Sequence, residues 1–192
     1  MTLSHADCLR ANPDLMDVLR GIRACDLPQG AVFAGSVFQT IWNVRLGLDA
    51  GYGIHDYDVI YFDNDVSWEA EDTSIRRLLQ NLPEGLRSKV EVRNQARVHL
   101  WFAARFGGVY PPLTSADDAL SRALATVHAV SVSLDELGEL VVTAPLGFED
   151  VDAMRYRPGP GGGDAAAVAE KARQTLARWP QAVFDPRPYY VV

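Results

Sequence analysis

A chain of 192 residues that is 48% hydrophobic can bury a core large enough for one domain, or for one domain with an appendage. Its formal charge of -7 makes nucleic acid an unlikely partner, because such surfaces carry a basic excess, and it favours a small phosphorylated substrate that arrives with its own cation. No run reaches the roughly 18 apolar residues that a membrane span needs, and two isolated cysteines, Cys8 and Cys25, predict a reducing, cytoplasmic setting with both thiols packed as small hydrophobes. The opening M-T-L-S-H-A-D-C has neither a basic region nor an apolar stretch, so it does not read as a secretory leader.

Asn12-Pro13-Asp14 is a helix start, with Asn as cap, Pro in the first position and an acid in the first turn. Leu15, Val18, Leu19 and Ile22 follow at helical spacing. Residues 31–34 read as a short strand that ends at Gly35-Ser36, and Val37, Ile41, Val44 and Leu48 continue as a helix. Gly35-Ser36 therefore occupies a strand-to-helix corner, where free amides and the helix dipole favour an anion. Gly47, Gly51 and Gly53 mark a loop into a strand over residues 57–62. Ser67 caps a helix to about Gln80, with Glu69, Glu71 and Asp72 near its start and Arg76 and Arg77 later. Asp63 and Asp65 before it read as turn residues.

Residues 89–93 form the next strand, and Asn94 caps a helix bearing Val98, Trp101, Phe102 and Arg105 that closes at Gly107-Gly108. Tyr110-Pro111-Pro112 divides the chain into 1–110, carrying the carboxylates, and a C-terminal extension over 111–192; a single domain over 1–192 is the alternative. Ser115-x-x-Asp118 opens a helix as a capping-box variant, and residues 128–133 and 139–143 alternate as a hairpin. Residues 158–163 are a Pro/Gly loop or disordered tip, after which Asp164 caps a last helix that stops at Trp179-Pro180.

The chemistry concentrates in H-D-Y-D-V-I-Y-F-D. Side chains alternate along a strand, so Asp56 and Asp58 point the same way with Cα atoms about 6.6 Å apart. The apolar run from Val59 to Phe62 indicates a strand covered on both faces. Two like charges at the end of such a strand repel unless a cation offsets them, and hard oxygen donors suit magnesium, with manganese as the alternative. Glu91, between Val90 and Val92, is the candidate third carboxylate, and three such groups on adjacent strands can hold two metal ions about 3.5–4 Å apart for in-line displacement at phosphorus. Gly35 and Ser36 would cradle phosphate oxygens, Arg93 and Arg97 could meet a triphosphate, and His55 could contact substrate. His99, Trp42, Trp68 and Trp101 lie at helical spacing and read first as packing residues.

A Gly-Ser corner, an Asp-x-Asp strand and a later carboxylate resemble the nucleotidyltransferase superfamily. A-G-S-V-F-Q-T-I-W-N, D-Y-D-V-I-Y-F-D, S-W-E-A-E-D, V-E-V-R-N-Q-A-R-V-H-L-W-F, Y-P-P-L-T-S, A-P-L-G-F-E-D-V and E-K-A-R-Q-T-L-A-R-W-P together are similar to a bacterial family of nucleotidyltransferases, over almost the whole chain. The resemblance implies an α/β (α+β) fold with a mixed-sheet palm like that of DNA polymerase beta, flanked by helices, and a C-terminal hairpin and helices. It further implies magnesium-dependent transfer of a nucleoside monophosphate from a nucleoside triphosphate, with release of pyrophosphate, to an acceptor it does not name. The acidic composition points to a small-molecule acceptor. Two alternatives stay open: a nucleotide-binding protein of the same fold without turnover, and a phosphohydrolase using water as acceptor. One departure from the superfamily pattern is the longer gap between Gly35-Ser36 and Asp56.

Overall fold

The structure is a computed structural model that describes residues 3–189; residues 1–2, part of the N-terminal reading, and 190–192, the end of the 111–192 segment, lie outside it. Helices α1 (His5–Arg10) and α2 (Pro13–Ala24) lead into strand β1 (Ala31–Phe33), and α3 (Gly35–Arg45) follows at once. Strand β2 (Tyr57–Tyr61), α4 (Trp68–Gln80), α5 (Glu84–Arg87) and β3 (Val90–Asn94) come next, then a 3-10 turn at Gln95–Arg97 that runs into α6 (Val98–Phe106). The remainder holds 3-10 turns at Asp117–Arg122 and Thr126–His128, the hairpin β4 (Ser131–Leu134) and β5 (Leu140–Thr143), then α7 (Glu149–Asp152), β6 (Arg155–Tyr156), α8 (Ala165–Arg178) and β7 (Val183–Phe184).

The five-stranded sheet has the order β3-β2-β1-β4-β5, with β2 and β3 parallel and every other pairing antiparallel. This is the mixed sheet flanked by helices that the sequence implies. Tyr57, Val59 and Tyr61 alternate onto the face covered by α2 and α3, where they join Leu15, Leu19, Val37, Phe38 and Ile41 in the main core. Ile60 points the opposite way, into a smaller cluster with Ala31 and Ala116, and Phe33 and Phe62 pack against it. Both faces of β2 are thus covered, as its apolar run requires. The main core draws on both sides of Tyr110, from Leu15 to Trp179, and β4 and β5 complete the sheet begun by the first three strands.

Local signals set most element starts. The side chains of Asn12, Ser67, Asn94 and Asp164 each accept a hydrogen bond from the first turn they precede. Ser4 and Asp7 form a capping box on the short α1. At residues 115–118 the expected bond from the Asp118 amide to Ser115 Oγ forms at 3.1 Å, but the segment winds as a 3-10 turn. Asp118 is itself taken by the Thr114 amide and hydroxyl, which tightens the turn. The 158–163 tract is an ordered loop: the Gly159 and Gly161 amides donate to Leu124 and Ala123 carbonyls. Gly161 is obligatory there, because a Cβ would lie 1.9 Å from the Arg122 carbonyl oxygen.

Candidate active site

The corner after β1 carries backbone strain. Ala34 has φ 58° and ψ -116°, a region that L-residues rarely adopt, and it turns the chain directly into α3. No side chain caps α3, which leaves the Gly35 and Ser36 amides without intrahelical partners. Gly35 opens onto a cleft of about 290 Å³ shared with Asp56, Asp58, His55 and Phe33. Ser36 sits behind this wall, 2% exposed, and its hydroxyl is buried with no hydrogen-bond partner. An orphaned hydroxyl beside two free amides fits a corner that receives an anion.

Strand pairing places the carboxylates. Asp58 lies opposite Phe33 on one side and opposite Glu91 on the other, so Asp58 is one residue from the corner in register and Glu91 is its direct neighbour. Burial, then the negative charges of Asp56 and Glu91, push the Asp58 carboxyl up to about 6, while Lys171 and Arg93 pull the other way. Glu91 is held by Arg93 at 2.5 Å. Among the described residues no group of three or more His, Cys, Asp or Glu side chains is gathered closely enough to hold a metal ion. Asp56 and Asp58 supply hard oxygen donors at a point of excess negative charge, which is suitable chemistry for a divalent cation.

The long connection between α3 and β2 is folded into turns. Asn43, fully buried, donates from Nδ2 to the Ala50 and Tyr52 carbonyls at 3.1 and 2.8 Å. Its Oδ1 accepts from the Trp179 indole at 2.7 Å. Arg178 donates to the Gly53 carbonyl at 3.0 Å. The extra residues are thereby absorbed, and Asp56 returns to the same cleft as Gly35.

Residues 20–183 match the family described as Nucleotidyltransferase. The chain belongs to that family. A solved structure, determined by NMR and described as revealing a CCA-adding enzyme head domain, is similar over 97% of this chain and 98% of its own, with a TM-score of 0.76 and 25% identity. No curated protein matches the chain.

The cleft of this nucleotidyltransferase is also lined by residues that sequence reasoning passed over. Lys171, Gln174, Thr175 and Arg178 follow helical spacing on α8 and form the wall facing Asp56 and Asp58. They bring two cations to an acidic cleft, yet nothing local to residues 165–178 distinguishes them from a solvated helix face. His128 also lines the cleft; burial first, then Lys171, push its imidazole down to about 4, so it is neutral at pH 7.

The remaining candidates divide. Arg93 and His55 border a second cleft with Asp56 and Glu91, of about 520 Å³. Arg97 is elsewhere: it pairs with buried Glu71 at 3.1 Å, donates to the Ser67 carbonyl at 2.8 Å and lies over the Trp68 ring. Trp42 is core, its indole bonded to the Val151 carbonyl, while Trp68 is 67% exposed and Trp101 packs with Phe102 and Phe106. Asp63 and Asp65 make successive turns into Ser67. His99 is on α6, partly buried, outside all three of these groupings. Cys8 and Cys25 are buried free thiols, and no helix among the described residues is long and apolar enough to cross a membrane.

Proposed function

We propose that this nucleotidyltransferase transfers a nucleoside monophosphate from a nucleoside triphosphate to a small-molecule acceptor and releases pyrophosphate, with magnesium, or manganese in its place, held by Asp56 and Asp58. The observation that carries the reading is the shared cleft: Asp56 and Asp58, Gly35 at the uncapped start of α3 and the cations of α8 all border one space. Glu91 would join as third ligand, or act as base toward the acceptor, after leaving Arg93, to which it is now bonded. When bound, the metal would polarise the phosphoryl oxygens and offset charge on the leaving group.

The protein's own groups do the rest. The Gly35 and Ser36 amides hold phosphate oxygens at the positive end of α3. Lys171 and Arg178, with Arg93 in the neighbouring cleft beyond Asp56, offset the remaining triphosphate charge. The acceptor hydroxyl oxygen bonds to the α-phosphorus while the bond from that phosphorus to the β-phosphate oxygen breaks. Pyrophosphate leaves with the electron pair, and the hydroxyl proton passes to solvent or to a nearby carboxylate.

The test is pyrophosphate release with each of the four ribonucleoside triphosphates and magnesium, with cell extract as acceptor, for the wild type and Asp58→Asn. Release by the wild type alone supports the reading and names the base. Nucleotide binding by calorimetry with no pyrophosphate would favour a binding protein, and inorganic phosphate as product would favour hydrolysis.

A further inference from the structure

A cleft of about 520 Å³ opens between the start of α4 and the side of α6. One residue joins it to the carboxylates: Arg93 lines this cleft and also the cleft that holds His55, Asp56 and Glu91. Arg93 and Glu91 stand two residues apart on β3, with Cα atoms about 6.6 Å apart, and both share the face of Asp58, which Glu91 opposes in register. Arg93 bonds Glu91 at 2.5 Å. β3 is an edge strand of the sheet, so no further strand stands beside it to close the route from one cleft to the other.

The lining selects an anionic, aromatic ligand. It carries three arginines, Arg93, Arg97 and Arg105, against one acid, Glu71, in a chain whose formal charge is -7. Arg97 is 8% exposed, and its Nη1 serves Glu71 and the Ser67 carbonyl. Its Nε is buried with no hydrogen-bond partner among the described residues. Guanidinium N–H groups of this kind match phosphate oxygens. Two indoles stand with the arginines: Trp68, 67% exposed, lies over the Arg97 guanidinium, and Trp101 belongs to the α6 wall. Any nucleobase can stack on such rings. Along α6 only Val98 is fully buried although most of the helix is apolar, which leaves its side of the cleft uncovered.

Building on the nucleotidyl-transfer reading, we propose that this cleft holds the acceptor, and that the acceptor is itself a nucleoside monophosphate. Its base stacks on Trp68 and Trp101, its phosphate meets Arg97 and Arg105, and its ribose extends past Arg93 toward Glu91. Arg93 can turn from Glu91 to the bound phosphate, which frees the carboxylate beside Asp58. A ribose hydroxyl oxygen then bonds to the α-phosphorus of the triphosphate as the bond to the β-phosphate oxygen breaks. Pyrophosphate leaves with the electron pair, the hydroxyl proton passes to Glu91, and one phosphodiester joins the two nucleotides. The acidic remainder of the chain repels a longer polyanion, so the occupant is a free mononucleotide rather than a nucleic-acid end.

Chemical shifts of the isotope-labelled full chain, titrated with AMP in the absence of triphosphate, test the site apart from turnover. The indole N–H signals of Trp68 and Trp101 should move saturably, while those of Trp42 and Trp179, bonded in the core to the Val151 carbonyl and to Asn43, stay in place. Adenosine, which lacks the phosphate, and ribose 5-phosphate, which lacks the base, should each bind about tenfold more weakly than AMP. Trp68→Ala and Arg105→Gln should each weaken AMP by a similar factor, the loss of one stacked base or of one charge-assisted hydrogen bond. With ribonucleoside monophosphates in place of cell extract, pyrophosphate release should saturate, and Trp68→Ala should raise the KM for the monophosphate about tenfold. The proposal would be overturned by shifts confined to the Gly35 corner, by adenosine or ribose 5-phosphate binding as well as AMP, or by an oligoadenylate binding more than tenfold tighter. Release that extract supports and no monophosphate does would also overturn it. Failure of release with every acceptor, with the indole shifts intact, would instead count against nucleotidyl transfer and leave the cleft's ligand class standing.

Discussion

Asp58→Asn offers the most direct test of the electrostatics of this site. The Asp58 carboxyl rises from an ordinary 3.8 to about 6 in the fold, roughly two units. A carboxyl raised in this way keeps its proton in the native state at pH values where the unfolded chain has lost it. The stability this provides is complete below pH 4 and is lost as pH rises through 6, so above that the ionised native carboxylate is a burden. At about 1.4 kcal/mol per unit the burden is at most about 3 kcal/mol, and cleft solvent reduces it to roughly 2. Asn keeps the shape without the charge. The variant should therefore exceed the wild type in unfolding free energy by about 2 kcal/mol at pH 7.5, which is some 4–8 °C in Tm for a chain of this size. Urea unfolding between pH 4.5 and 7.5 reads the effect. The advantage should shrink steadily toward the acid end, and magnesium added at pH 7.5 should lift the wild type while leaving the variant unmoved. An advantage of equal size at pH 4.5 and 7.5, or a variant less stable than the wild type at 7.5, would refute the reasoning.

Further substitutions separate support from chemistry. Arg97→Ala leaves Glu71 buried without its cation and should cost about 3–5 kcal/mol in urea unfolding. Lys171→Gln should weaken triphosphate binding about tenfold by calorimetry without loss of fold, since its side chain is exposed and bears on the cleft by charge. Asn43→Ala orphans the Trp179 indole and two loop carbonyls, so about 3 kcal/mol of stability and most turnover should be lost together. Ala34→Gly relieves the positive φ and should stabilise by about 0.5–1 kcal/mol in thermal melts.

What the sequence made legible was local. Asn12, Ser67, Asn94 and Asp164 act within one turn of where they stand, so their caps could be read directly. The Asp58 strand could be placed in the sheet interior because four consecutive apolar residues demand cover on both faces. The cations of α8 could not be read, since Lys171 and Arg178 reach the cleft only through the packing of Val168, Ala172 and Trp179 into a core assembled from the rest of the chain. Arg97 was ambiguous for the same reason: its partner Glu71 lies on another helix, and the ordinary reading of Glu71 as a solvated first-turn acid hid the pair. The strand-to-helix corner at Gly35 was legible, but the strain at Ala34 was not, because no residue type announces it. The segment after Ser115 shows the converse: the local cue was right, and the competing grip of Thr114 on Asp118 changed the kind of turn.

The Asn43 side chain joins three stretches of chain with one amide. It braces the turns that deliver Asp56 and receives the indole that ends α8, the helix carrying Lys171 and Arg178. The carboxylate wall and the cation wall are therefore geared to one another, and neither can shift its spacing alone. Inheritance should feel the same linkage: a lineage that shortened the 46–56 loop would have to alter Asn43 and Trp179 in step, so the three should drift as a unit while the solvated face of α8 varies freely.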